Sequence, residues 1–253
     1  YDIGLGIPAE PLFRSSIVSG DKTVNALNFT ADNRNVTLSG DAISATTVSK
    51  SGDGVAIVNN ALSGITSISV TDGVLVLNPT NEDVTDEWSA SDNGTLVVYV
   101  GTGDTTVMSA AITASKLIKR GAGTLDLTGI TVASIPIIVD DGKVIVDEQP
   151  TANVVINTSG TFTLKDAVWN NGALFSGNGT LELLSTTDTR THTATGSSFN
   201  GILKLSNQND NQCNLDPTGA ATFTTTPELI LSANVVHLNR RSEERRVGKE
   251  CRS

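Results

Sequence analysis

Three kinds of chemistry would leave a mark in this sequence. Glycoside cleavage needs two carboxyls held across a cleft, a metal site needs several His, Cys or carboxylate ligands, and acyl transfer needs an activated nucleophile. Asp140 and Asp141 are adjacent, but they stand directly before Gly142, where a tight turn favours Asp. Asp147-Glu148 and Glu82-Asp83 follow strand-like runs and read as solvated loop charge. His192, in Thr191-His192-Thr193, and His237, after Val235-Val236, have no second His or Cys at ligand spacing. Cys213 is a lone thiol without a nearby His. Trp88 and Trp169 could stack on sugars, yet isolated Trp residues more often anchor packing. Asp- and Asn-rich turns make Ca²⁺ conceivable, but the Gly-Gly-x-Gly-x-Asp nonapeptide and the EF-hand loop are both missing. Neither a Gly-x-Ser-x-Gly elbow nor a P-loop occurs. The sequence therefore assigns no catalytic residue, no cofactor site and no metal ligand, and points away from an enzyme.

The last thirteen residues, Arg241 to Ser253, differ in character from the rest and resemble the translated read-through of a sequencing adapter. They hold five of the 17 Lys and Arg and three of the 27 Asp and Glu, so residues 1–240 carry 12 basic and 24 acidic groups. An acidic chain without basic clusters disfavours nucleic acid, and 4% aromatics leaves few stacking platforms. No apolar run reaches the roughly 18–20 residues that a spanning helix needs. Scarce Cys fits an exported bacterial protein. The expected organisation is a broken N-terminal end over 1–12, a solenoid over 13–206, irregular coils over 207–240 and a non-native tail over 241–253.

What must position any site is a repeat. A turn with Gly or Asn, followed by apolar–x–apolar, recurs at Val36/Leu38, Val55/Ile57, Leu75/Leu77, Leu96/Val98, Leu125/Leu127, Val144/Val146, Phe162/Leu164, Leu181/Leu183 and Leu203/Leu205. The first members are 19, 20, 21, 29, 19, 18, 19 and 22 residues apart. Alternate residues of a strand face opposite ways, so each pair points inward and the residue between faces solvent. Val55/Ile57 is ambiguous, since Ala56/Val58 would serve as well. Gly73, Gly94, Gly123, Gly142, Gly160 and Gly179 mark the turns.

A second strand often precedes the turn, as in Ile68-Ser69-Val70, Ile137-Ile138-Val139 and Val154-Val155-Ile156. Asp-Gly and Asn-Gly turns also suit antiparallel hairpins, so a β-sandwich or barrel is the alternative. The regular period favours a right-handed parallel β-helix of about nine or ten coils, each stacked on the last at about 4.8 Å. The gap of 29 predicts a looped-out insertion over 99–116. After Ser206 the rhythm fades, although Pro227 to Ser232 reads as one more strand.

Two segments resemble a known family. Lys119-Arg120-Gly121-Ala122-Gly123-Thr124-Leu125-Asp126-Leu127-Thr128-Gly129 matches the Lys-x-Gly-x-Gly-Thr-Leu-x-Leu-x-Gly signature of autotransporter-associated β-strand repeats. Lys50-Ser51-Gly52-Asp53-Gly54-Val55-Ala56-Ile57 follows it but departs at Thr-Leu and lacks the closing Gly. Gly177-Asn178-Gly179-Thr180-Leu181-Glu182-Leu183 is a shorter echo. The resemblance implies a β-helical passenger segment of a large secreted or surface-anchored bacterial protein. On that expectation the chain is an extracellular adhesive or structural stalk whose partner is a host-cell or polysaccharide surface. The alternative is a fragment of a β-helical polysaccharide-active enzyme or phage tail appendage.

Overall fold

The computed structural model describes residues 13–30, 32, 34–77, 94–170, 174–187, 190–192, 199–208, 213–215 and 228–232. The first strands are β1 (Phe13–Val18), β2 (Lys22–Thr30), β3 (Asn35–Gly40), β4 (Ile43–Ser51), β5 (Val55–Val58), β6 (Leu62–Ser63), β7 (Ser67–Val70) and β8 (Val74–Leu77). The middle of the chain forms β9 (Thr95–Tyr99), β10 (Thr105–Val107), β11 (Ala111–Thr113), β12 (Lys116–Arg120), β13 (Thr124–Asp126), β14 (Ile137–Val146) and β15 (Val154–Lys165). Then come β16 (Phe175–Gly177), β17 (Thr180–Ser185), β18 (Arg190–His192), β19 (Ile202–Asn207), β20 (Cys213–Leu215) and β21 (Glu228–Ser232).

Every one of these pairings is parallel, and each joins one coil to another; the Asp-Gly turns close no hairpin. The chain is a β-solenoid. The large sheet runs β1-β3-β5-β8-β9-β12-β14-β15-β17-β19-β21, and a smaller one runs β11-β7-β4-β2. Successive strands of the large sheet are from 17 residues apart (Ile137 to Val154) to 26 apart (Ile202 to Glu228). Corners absorb that variation, because the strands need equal length only where they pair.

The inner column is built as the alternation requires. Leu75 stacks on Leu96, and Leu125, Val144, Phe162, Leu181 and Leu203 follow one another in register. Leu77, Val98, Leu127, Val146, Leu164 and Leu183 are buried with them. Next to Val36 the inward pair is Ala56/Val58 rather than Val55/Ile57. Val55 instead joins Val74, Val76, Val97 and Ile118 in a separate buried cluster. The outward positions are thus not uniformly solvated, and Thr163 and Glu182 are buried too.

The expected insertion over 99–116 is not one. It contains β10, which pairs with β13, and β11, which pairs with β7. Leu96 is followed on its column by Leu117, then Ile137, Val154 and Phe175, whereas Leu125 belongs to a column beginning at Thr106. The odd spacing is one coil plus the eight residues between the strand before a turn and the strand after it. Here the strand that precedes the turn takes over the position held by the strand that followed it. In β14 and β15 both lie in one long strand, with a register irregularity between Val139 and Asp141 where the corner sits, and in the next coil they part again as β16 and β17.

Candidate functional site

Lys50 and Lys119 sit at inward positions, two residues after Val48 and Leu117, and are 1% and 0% exposed. Their neighbours in register are Phe29 and Val70 for Lys50, and Val98 and Val139 for Lys119. A buried ammonium must be hydrogen-bonded. Lys119 Nζ donates to the carbonyls of Arg120 (2.9 Å), Gly121 (2.6 Å) and, one coil on, Asp141 (3.2 Å). Lys50 Nζ donates to Ser51 (2.7 Å), Gly52 (2.5 Å) and Asp72 (3.4 Å). Each lysine therefore ties its own turn to the next coil's turn. Burial pushes Lys119 down to about 8, against the opposing pull of Asp141, so it is still largely charged at pH 7. Burial likewise lowers Lys50, opposed by Asp72, Asp32 and Asp53.

The glycines make this stacking possible. A Cβ on Gly142 would lie 2.3 Å from the Gly123 carbonyl oxygen and 2.4 Å from that of Gly121. Gly73 stands over Gly54 and Gly52 in the same way, at 2.3 and 2.4 Å. A Cβ built on Gly94, Gly123, Gly160 or Gly179 would likewise lie 2.5 Å or less from backbone of an earlier coil. Close approach between coils, more than turn conformation, explains the glycine at these four corners. The Lys-x-Gly-x-Gly string is thus a stacking device: the lysine fills a column position, and its charge gathers the carbonyls that the glycines allow to crowd together.

The acidic residues have structural partners. Asp140 accepts from Arg120 Nε (3.1 Å) and Asn157 Nδ2 (2.7 Å), linking three coils, while Asp141 Oδ1 accepts from Gly142 N (2.7 Å). Asp147 and Glu148 are not simply solvated loop charge. Both Asp147 oxygens accept from Gly129 N, and Glu148 Oε1 accepts from Val132 N and Ala133 N (2.5 and 2.8 Å). Sequence reading missed this because the spare N–H groups of one coil's corner lie a full coil from the carboxylates that cap them.

Among the described residues, Glu182 is the one buried carboxylate. It accepts from Lys143 and Lys204 (both 2.8 Å), Thr163 (3.0 Å) and Ser206 (2.9 Å). Burial pushes its carboxyl up, but the hydrogen bonds and charge from Lys143, with Lys204 and Ser206, outweigh this and hold it at about 2. Asp166, one of the residues with positive φ, caps Thr186 N and Thr187 N in the following coil and accepts from the Thr186 hydroxyl.

His192 is 1% exposed, and its Nδ1 accepts from Trp169 N at 3.0 Å. Trp169 is itself buried, edge-on to Phe175 at 5.8 Å, so it packs the interior and presents no platform. Trp88 and His237 lie outside the described residues. Burial, then the Arg190 charge, pushes His192 down to about 4. The unfolded chain therefore binds the extra proton from its ordinary value of 6.5 down to 4. Stability should fall by about 3 kcal/mol over that window on this account alone. His192→Asn keeps an acceptor near the Nδ1 position and removes the titration. Its denaturation midpoint should be less acid-sensitive than the wild type's between pH 6.5 and 4, and identical slopes would refute this.

A cleft of about 450 Å³ opens between residues 58–65 and 105–110, floored by Ile68, Leu77 and Val98. None of the described residues that line it is ionisable. Among the described residues, no three His, Cys, Asp or Glu side chains gather as metal ligands, and no helix is long and apolar enough to cross a membrane. No family model, curated protein or solved structure matches the chain. Fold and corners together define a parallel β-solenoid clamped by buried lysines and stacked glycines.

Proposed function

We propose that this chain is a non-enzymatic extracellular stalk, a β-helical segment of a large bacterial surface or secreted protein. The observation that supports it most is the use made of polar groups. The buried lysines, Glu182 and the corner carboxylates are engaged in tying coil to coil, as a stiff rod requires. The eleven strands along the large sheet's main path, about 4.8 Å apart, span roughly 50 Å. Parallel stacking places the backbone ladders along the rod axis, and each coil depends mainly on its neighbours. The Lys-x-Gly-x-Gly corners add to this reading, since they are the residues that resemble the repeats of secreted passenger proteins. Adhesion would then belong to the exposed corners or to a tip carried by the rod, with a host-cell or polysaccharide surface as partner.

The test has two arms. The purified chain is incubated with neutral and acidic polysaccharides, and new chain ends are assayed; none should appear, and turnover would overturn the proposal. Placed beneath an epitope in a bacterial surface display, the chain should raise the epitope by about 50 Å. An epitope that stays at its original height would count equally against it.

A further inference from the structure

We infer that residues 48–77 and 117–146 are one thirty-residue clamp used twice, and that the clamp works equally on different faces of the rod. This stands independently of what the rod is for. The two stretches match at an offset of 69 residues with no insertion, and seven of the thirty positions are identical. All seven are corner or column residues. Lys50 recurs as Lys119, Asp72 as Asp141 and Gly73 as Gly142; the others are the glycines at 52 and 54 and the aliphatics at 68 and 70. In a stack held by nearest-neighbour contacts, a set of contacts that closes within two coils can be moved as a piece.

The contacts recur along with the residues. Each lysine donates to the carbonyls one, two and 22 residues further on. The N–H of the last glycine donates to the aspartate before it, at 2.8 Å in the first copy and 2.7 Å in the second, and its φ is 63° and 68°. The next N–H reaches back to the middle glycine, Val74 to the Gly54 carbonyl at 3.1 Å and Lys143 to that of Gly123 at 3.0 Å. The ladders share one register as well: Val48 on Ile68 and Val55 on Val74, then Leu117 on Ile137 and Thr124 on Lys143. Later corners are built differently. A Cβ on Gly160 would crowd the Val139 carbonyl and one on Gly179 that of Asn157, and neither glycine has a left-handed φ.

The settings of the two copies nevertheless differ. In the first, the strand before the corner, β4, lies in the small sheet and the strand after it, β5, in the large one. In the second, β12 follows β5, β8 and β9 in register, so the strand before the corner stands where the strand after it stood. Lys119 accordingly shares a column with Val58, Leu77 and Val98, whereas Lys50 lies between Phe29 and Val70. The outer surface changes too. Val55 and Val74 belong to the buried outer cluster, but their counterparts Thr124 and Lys143 are half-buried. What stays constant across both settings is internal to the thirty residues. The clamp is therefore specified by its own corner, and the column change is the same clamp set one face further round.

Double-mutant cycles on the whole chain test this. Within a copy, the lysine and the last glycine meet at one atom. The Gly121 carbonyl oxygen accepts from Lys119 and would lie 2.4 Å from a Cβ on Gly142, and that of Gly52 is placed in the same way for Lys50 and Gly73. Once an alanine has pushed the coils apart, losing the lysine should matter less. Lys50→Met with Gly73→Ala, and Lys119→Met with Gly142→Ala, should each lower the guanidinium midpoint by about two thirds or less of the summed single shifts, with equal shortfalls. The crossed pairs, Lys50→Met with Gly142→Ala and Lys119→Met with Gly73→Ala, should add. Where a glycine variant leaves too little folded protein, Asp72→Ala or Asp141→Ala removes the cap on that glycine and takes its place, with the same expectation. Shortfalls that differ by about twofold or more between the copies would overturn the inference, and so would crossed pairs coupled as strongly as pairs within a copy.

Discussion

Gly142→Ala is expected to destabilise the solenoid by about 3–4 kcal/mol, and Gly129→Ala by only about 1. Both glycines have positive φ, 68° and 83°. An alanine at either should therefore meet the same left-handed backbone penalty of about 1–2 kcal/mol. They differ in their surroundings. Nothing stands within 4 Å of a Cβ built on Gly129, while one on Gly142 meets two carbonyl oxygens of the coil below, each closer than 2.5 Å. Those oxygens are backbone and cannot swing aside. The Gly121 carbonyl is held by Lys119, and the Gly123 carbonyl accepts from Lys143 N at 3.0 Å. The coils would have to separate locally, loosening both bonds. Guanidinium denaturation of the two variants, followed by circular dichroism, gives the comparison. Equal losses would show that conformation alone, without close approach, makes the corner need glycine.

How far the fold can be read from sequence depends on which signals survive stacking. Alternation within single strands did, because the inward residues at 75, 77, 125, 127, 144, 146, 162 and 164 are aliphatic or Phe and the buried column tolerates little else. Register did not survive where several apolar residues run together: Val55 to Val58 offers two equivalent parities, and only the partners Val36 and Leu75 choose Ala56. The change of column position was hidden by one residue. A search for apolar–x–apolar passes over Leu117-Ile118-Lys119, since Lys119 occupies an inward place with a charged group, and so jumps from Leu96 to Leu125. The lysine motif was visible as a resemblance, but its physical meaning was not. Nothing local in the sequence shows that Asp141, 22 residues on, supplies the third carbonyl. Carboxylates looked like loop charge for the same reason: Asp147 and Glu148 cap a corner 15 to 18 residues earlier in the chain.

Lys119→Met should be the more revealing of the lysine substitutions, because its effect grows with pH. Met retains the apolar stem but leaves the Gly121 and Asp141 carbonyls without their donor, while the Arg120 carbonyl still accepts from Val100 N at 2.9 Å. An under-satisfied buried acceptor costs about 1–3 kcal/mol, and relief of the desolvated charge offsets part of this, leaving a net loss of about 2 kcal/mol at pH 7. The protonated lysine is disfavoured by folding, since its value is lowered from 10.5 to about 8. Between those values the unfolded chain binds more protons than the folded one. The wild type thus gains stability as pH rises through 8 and holds the full gain, about 3 kcal/mol, only above 10.5. Lys119→Met has no such gain. The gap between the two proteins should widen from about 2 kcal/mol at pH 7 to about 4 near pH 10, when urea midpoints are measured across that range. A gap that stays constant would mean that the ammonium keeps its ordinary affinity for protons inside the rod. The carbonyl cage would then compensate fully for burial, and the corner would be a cation site filled from within the chain at no electrostatic cost.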